Sequence, residues 1–190
     1  MHPHAFALHI TWTTYGSWLP GDERGSVSNR LKPEGGFDRK QNTPGAPLMS
    51  DEFTRESARR NQTNPTVLLT REQAGWVAEE LVAVATKEGW RILRAAVMYN
   101  HTHVVVIDCP DNGPAVQRKL KGVTQAALSR RNGRPRKWWT DGGSDRCKHD
   151  PEAIEAAINY DAKQPGMLAG VADMRPFIVG DDGELCYLDG

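Results

Sequence analysis

The sequence predicts an α+β domain, an antiparallel sheet with helices on one face. Short apolar and β-branched segments with rough alternation mark strands. Other segments repeat apolar residues at helical spacing behind recognisable caps. Their order along the chain is strand, helix, strand, strand, helix, strand, helix.

Residues Phe6 to Tyr15 (FALHITWTTY) read as the first strand. From Gly16 to about Pro65 the chain is rich in Gly, Pro, Asn and Asp, without periodicity, and reads as a long loop insertion. A short helix is expected inside it, around Asp51 to Arg60. Thr70 opens a clear helix, because T-R-E-Q is a capping box in which Thr70 and Gln73 satisfy each other's backbone amides. Trp76, Val77, Leu81, Val84 and Ala85 then recur at helical spacing, and Gly89 ends the run. Arg91 to Tyr99 and His101 to Asp108 read as two strands joined at Asn100.

Pro114 begins a second long helix, with Val116, Leu120, Val123 and Ala127 on one face, ending near Asn132-Gly133. Lys137 to Thr140 is expected as a short strand. Asp150-Pro151 is an N-cap with proline at the first helical position, and Ile154, Ala157 and Ile158 give the helix that follows a buried stripe. Pro165-Gly166 stops it, and the tail from Met167 onward is expected to hold a strand at Phe177 to Val179. The first six elements match the ferredoxin-like split βαβ plan, with a core of 6–14 and 67–170, an insertion at 16–65 and a C-terminal extension at 171–190.

A chain of 190 residues suits one domain, and no apolar run approaches the length of a membrane helix. No signal peptide is read at the N-terminus. The three cysteines are widely spaced, which makes no disulfide framework and fits a reducing cytoplasm. Formal net charge is zero, yet the segment from Gln117 to Lys148 holds ten basic residues against two acids. Such a local excess is the electrostatic footprint of a phosphate-bearing partner, although a solvated helix face would carry it equally well. No P-loop is present, so nothing points to nucleotide-driven chemistry.

His101 and His103 stand at i and i+2 on a predicted strand, so their side chains share a face and make half of a metal site. Tyr160 lies near the end of the last helix, with Gln164 four residues on and just before Pro165. Each fragment alone is ordinary: paired histidines are common on sheets, and surface tyrosines on helices. Cys147 with His149 lacks the second pair a zinc site needs, and His2, His4 and His9 are read as non-catalytic.

Together the fragments form a pattern. VMYNHTHVVV resembles the signature strand of the single-tyrosine HUH transposases, which include insertion-sequence transposases and the REP-associated tyrosine transposases. INYDAKQPGML resembles the tyrosine helix of that family, KWWTDGGSDRCKHD its short tryptophan-bearing strand and turn, and HITWTTYG its first strand. The resemblance covers most of residues 6–14 and 67–170, in the same order. Tyr99 stands where the family often has proline, so this chain holds a second tyrosine near the histidines.

The resemblance implies a single-stranded DNA endonuclease and strand transferase. Tyr160 would be the nucleophile, forming a 5′-phosphotyrosine and releasing a 3′-OH. His101, His103 and Gln164 would hold a divalent cation, Mg²⁺ or Mn²⁺ by their mixed nitrogen and oxygen donors. Lys119, Lys121, Arg130, Arg131, Arg134 and Arg136 would track the phosphates, and Trp138 or Trp139 would stack on a base, the other filling the core. The expected partner is single-stranded or hairpin DNA, without a membrane, and the protein is a monomer or homodimer. Two alternatives share most of these features: a non-cleaving DNA-binding module derived from a transposase, and an HUH replication or mobilisation initiator.

Overall fold

Strand β1 (Ala7–Thr13) is followed by α1 (Glu52–Arg60), α2 (Arg71–Glu88), β2 (Arg91–Met98), β3 (His101–Ile107), α3 (Gly113–Arg131), β4 (Ser144–Lys148), α4 (Pro151–Ala162), β5 (Met167–Ala172), β6 (Arg175–Val179) and β7 (Leu185–Tyr187). The computed structural model describes residues 6–23, 32–36, 50–110 and 112–188. The chain divides into two compact units, Met1–Thr14 with Leu68–Gly190, and Tyr15–Val67. The second unit takes in the whole segment read as an insertion. Within it Asp51 precedes α1 in an extended conformation, donates its amide to the Gly21 carbonyl (3.0 Å) and accepts from the Thr54 hydroxyl (2.6 Å).

All seven strands of the first unit form one antiparallel sheet, in the order β4-β1-β3-β2-β5-β6-β7. The first four strands in that order are the ferredoxin-like arrangement, with α2 and α3 as its crossovers. The expected capping box is present: the Thr70 hydroxyl accepts from the Gln73 amide (3.2 Å) and Gln73 accepts from the Thr70 amide (3.1 Å). Gly89 ends α2 in the left-handed conformation, where a Cβ would be strained (φ 74°).

Three expectations change. The fourth strand is Ser144–Lys148; within Lys137 to Thr140 the expected pairing is reduced to an isolated antiparallel bridge between Trp139 and Thr14. Trp138 and Trp139 are both buried. The Trp138 indole donates to Ser129 (3.0 Å) and the Trp139 indole to Thr124 (3.1 Å), which clips their loop onto α3. The real strand, Ser-Asp-Arg-Cys-Lys, is polar and gives no hydrophobic signal.

The helices also occupy both faces of the sheet. Leu8, Ile10 and Trp12 point to one side, where Trp12 meets Trp139 edge to face at 5.9 Å beneath α3, and α2 packs on α3. Ala7, Val105 and Ile107 point to the other side, where Ala157 of α4 covers them with Ile154 and Ile158 at the margin. The last helix therefore lies opposite α3 because its apolar stripe has a separate strand face to cover.

Finally, the tail adds three strands, two of them beyond the expected Phe177 to Val179 segment. Met167–Ala172 pairs directly with β2. Its composition conceals it: two alanines and a glycine, both residue types of weak strand preference, make up half of Met-Leu-Ala-Gly-Val-Ala. Gly170 is required there, since a Cβ would lie 2.3 Å from the Ala95 carbonyl oxygen and 2.7 Å from the Phe177 ring.

These glycines give a paired stability prediction. Gly170→Ala forces β2 or Phe177 to move and should lower the unfolding free energy by about 1–3 kcal/mol. Gly122, inside α3, has no atom within 4 Å of an added methyl, so Gly122→Ala should raise it by about 0.5–1 kcal/mol. Urea unfolding of both variants tests this; a Gly170→Ala protein as stable as the parent would show that β2 and β5 do not approach so closely.

Candidate metal centre and tyrosine site

The β1–β3 ladder places Thr11 directly opposite His103 and Thr13 opposite His101. His9 stands opposite Val105, two residues along, so His9, Thr11, His101 and His103 share one sheet face. This is the face covered by α4. On that helix Asp161 continues the inward row of Ile154, Ala157 and Ile158 at the next helical repeat, and its side chain is fully buried. Tyr160, the next residue outward, is 56% exposed. One turn of helix thus delivers a buried carboxylate and an accessible phenol to the same histidines.

The Nε2–H of His9 donates to Asp161 Oδ1 at 3.0 Å, and His103 Nδ1 lies 3.8 Å from the same oxygen. Thr11 Oγ1 is 2.9 Å from His103 Nδ1. That contact fixes the orientation of the His103 ring. The Nδ1–H of His101 donates to Asn100 Oδ1 at 2.6 Å, which assigns its proton to Nδ1. Asn100, expected to shape the turn before the histidine strand, therefore also orients the first histidine. Its carbonyl accepts from both the amide and the hydroxyl of Thr14, at 2.8 and 3.2 Å.

The rings form a connected group. His9 stacks on His103 with centroids 5.6 Å apart, and His101 meets His103 edge to face at 4.9 Å. Tyr160 stands edge-on to His103 at 5.6 Å and to His9 at 6.2 Å. Tyr99 makes no ring contact with these histidines among the described residues, so only Tyr160 of the two tyrosines joins the group.

Burial sets the charge states. Desolvation pushes His103 down to about 3, and the neighbouring His101 and His9 act in the same direction. His103 is therefore neutral at physiological pH, as a metal ligand must be. Desolvation raises Asp161 above the usual carboxylate range, while the His9 hydrogen bond, His9's charge, Arg94 and Lys148 oppose that shift. Asp161 Oδ2 is buried without a hydrogen-bond partner. A buried carboxylate oxygen without a partner beside two imidazoles makes a donor set that suits a cation. Ligand atoms of His9, His103 and Asp161 lie within 4.8 Å of one another, and this cluster can hold a metal ion.

A cleft of about 420 Å³ opens over this group. His9, Thr11, His103 and Tyr160 line it from β1, β3 and α4, and Ser144, Arg146 and Lys148 from β4. No acidic side chain lines it among the described residues.

No protein-family model and no curated protein matches this chain.

Of the residues marked by the sequence, His101, His103 and Tyr160 come together. Gln164 lies just beyond the helix, and its amide nitrogen donates to the Tyr160 main-chain carbonyl at 3.3 Å. The oxygen donor that converges on the histidines is Asp161. His9, read as non-catalytic, stands in the cluster with His103 and Asp161, while His2 and His4 lie outside the described residues. Both missed residues had a signal. His9 alternates out of phase with Leu8, Ile10 and Trp12, and Asp161 falls on the apolar stripe of its helix.

Trp138 is corrected too: it is fully buried, so no face is available to a base, and Trp139 is buried with it. The basic residues of α3 belong to the helix on the opposite sheet face, and most are already engaged. Lys119 pairs with Glu88 (2.8 Å), Arg130 with Glu80 (3.9 Å) and Arg131 with Glu79. Lys121 donates to the carbonyls of Thr140 (2.5 Å) and Gly142 (2.6 Å), fastening the loop before β4. Arg136 lies 5.3 Å over the Trp138 ring, and Arg134 is exposed. No described helix is long and apolar enough to cross a membrane.

The His103 shift predicts acid sensitivity. Below its ordinary value of 6.5 the unfolded chain takes up a proton that the folded protein refuses down to about pH 3. Stability contributed by the neutral ring is thus present above that ordinary value and lost as pH falls. Asp161, shifted upward, works in the opposite sense, becoming less costly as pH falls. In the presence of a chelator, the His103 contribution should fall by about 2 kcal/mol between about pH 7 and about pH 5. His103→Gln should lose that part of the pH slope in urea unfolding; an unchanged slope would mean that His103 is not held neutral.

Proposed function

We propose that this protein is a metal-dependent single-stranded DNA endonuclease and strand transferase that uses Tyr160 as its nucleophile. One observation carries the reading: an accessible tyrosine stands edge-on to His103 and His9 and lines a cleft with Arg146 and Lys148 and, among the described residues, no acidic side chain. The paired histidines and the tyrosine helix resemble those of the single-tyrosine HUH transposases, which supports the same reading. The hairpin preference and the phosphotyrosine chemistry come from that resemblance.

The donor set suits a divalent cation such as Mn²⁺ or Mg²⁺, with imidazole nitrogens and a hard carboxylate oxygen. His103 would hold it with its neighbours His101 and His9 and the carboxylate of Asp161; Gln164 would have to release the Tyr160 carbonyl to join them. A bound divalent cation supplies polarisation of the phosphate oxygens, without which a neutral phenol is a weak nucleophile.

The chain's own residues do the rest. Asn100 and Thr11 hold the two histidine rings in one orientation each. The Ala157 contact seats α4 and so fixes where the Tyr160 hydroxyl can reach. Tyr160 Oη forms a bond to phosphorus as the bond to the 3′ oxygen breaks; the phenol loses its proton and the departing oxygen gains one. The phosphotyrosine retains the energy of the phosphodiester, so a second 3′-OH can reverse the step and join strands.

Two experiments check this reading. Incubated with Mn²⁺ and a single-stranded DNA containing a hairpin, the protein should form a covalent adduct that survives a denaturing gel. Tyr160→Phe should remove the adduct and Tyr99→Phe should keep it. Adduct persisting in Tyr160→Phe would sink the assignment, and tight binding with no adduct from any of a library of hairpins would favour a non-cleaving DNA-binding module. For the metal, titration calorimetry should show Mn²⁺ affinity lowered roughly 10–100-fold by Asp161→Asn, as for other groups that hold or orient ligands. Gln164→Ala should change it little; the reverse ranking would restore Gln164 as the oxygen ligand.

A further inference from the structure

The ten basic residues between Gln117 and Lys148 look alike in the sequence, but the fold divides them. Those of α3 lie across the sheet from Tyr160, and Lys119, Arg130 and Arg131 are each paired with an acid of α2. Lys137 is paired with Asp141 at 2.8 Å. Such locally compensated charges attract a polyanion weakly. Arg118 on α3 and Arg134 in the loop after it are exposed and also lack an ion pair among the described residues, but of the ten it is Arg146 and Lys148, likewise without one, that line the cleft.

Their position follows from the β1–β4 register. Arg146 stands opposite His9, Ser144 opposite Thr11 and Lys148 opposite Ala7. Alternation therefore turns Ser144, Arg146 and Lys148 to the histidine face, and all three line the cleft with Tyr160. Asp145, the one acid of the strand, takes the opposite face, where it packs against Gly113 of α3. β4 also ends the sheet, with β1 as its strand partner among the described residues. Residues two apart on a strand are separated by about 6.8 Å, which is comparable to the phosphate repeat of an extended single strand.

We propose that Arg146 and Lys148 form a rail on β4 that holds successive phosphates of single-stranded DNA and lays the strand across the Tyr160 hydroxyl. The proposal rests on the nuclease reading for its ligand and adds the path that ligand takes. The rail runs along the sheet edge beside the histidines, instead of along α3. Ser144 extends it by a hydroxyl at the end nearest Thr11. Arg146 can grip a phosphate through two parallel donors, while Lys148 acts as a point charge.

The test is the salt dependence of binding, with a chelator present so that binding is separated from chemistry. A fluorescein-labelled oligodeoxythymidylate is titrated at several salt concentrations and its anisotropy followed. Losing two phosphate contacts on a single strand should make the slope of log K against log salt shallower by about 1.4. Arg146→Gln with Lys148→Gln should show that change, with affinity at low salt reduced about tenfold or more. Lys119→Gln with Arg130→Gln, on α3, should leave the slope near the parent's. Arg146→Lys with Lys148→Arg should recover most of the slope, since the charges are kept, and its recovery guards against a folding defect in the glutamine pair.

A glutamine pair that binds with the parent's slope overturns the rail, as does an α3 pair that loses as much or a parent protein that does not bind. Failure of the nuclease reading looks different. There the slope changes as expected, yet the parent forms no adduct with Mn²⁺. An adduct at full yield in the glutamine pair, with an unchanged slope, would instead keep the nuclease and remove the rail.

Discussion

Thr11 faces His103 across the β1–β3 ladder, and the hydrogen bond between them holds the site in register. Strand side chains alternate with a period of two, so a slip of one residue would carry His9 and Thr11 to the α3 side and bring Leu8 or Ile10 to the histidines. The apolar residues prevent that slip. Leu8, Ile10 and Trp12 are buried on one face, and Ala7 is buried on the other beneath Ala157. The site geometry is therefore held by the same packing that holds the sheet. Arg146 and Lys148 inherit their direction from this ladder through the β1–β4 pairing.

The second constraint is electrostatic. A carboxylate buried under α4 is costly unless it is paired. Asp161 has one partner, His9, for one oxygen, and its other oxygen has none. His103 is held neutral by the same burial. Such an arrangement is poorly justified by stability alone, because an apolar residue at 161 would complete the stripe of α4 at less expense. A cation between the imidazoles and the carboxylate would offset the desolvation of both. The buried cluster of His9, His103 and Asp161 can hold a metal ion, and its burial is a cost that the apolar packing around it must offset.

Much of the architecture was legible. The capping box of α2, the proline-led α4 and the paired strands on either side of Asn100 follow from local rules, and the structure holds each of them. His101, His103 and Tyr160 were also legible as candidates, since strand and helix periodicities show which residues share a face. Less legible were β4 and β5. One is too polar and the other too small-sided to carry a hydrophobic pattern, and both are strands because their neighbours offer hydrogen bonds. Trp138 misled for the converse reason: a large aromatic beside basic residues suggests a stacking platform, but partners on α3 draw it inside.

What the sequence determined by itself was the inventory: two histidines sharing a strand face, a tyrosine at a helix end, and an excess of basic charge in a neutral chain. Only the tertiary structure decided which of these meet. His9 and Asp161 are 152 residues apart and hydrogen-bonded. Periodicity places a side chain on a face of its own element, but the rotation of α4 and the order β4-β1-β3 decide which faces oppose each other. That choice is made by long-range packing of Ala157 on Ala7, Val105 and Ile107. It brings Asp161 to the histidines, turns Tyr160 outward, and leaves Arg146 and Lys148, among ten similar basic residues, beside the tyrosine.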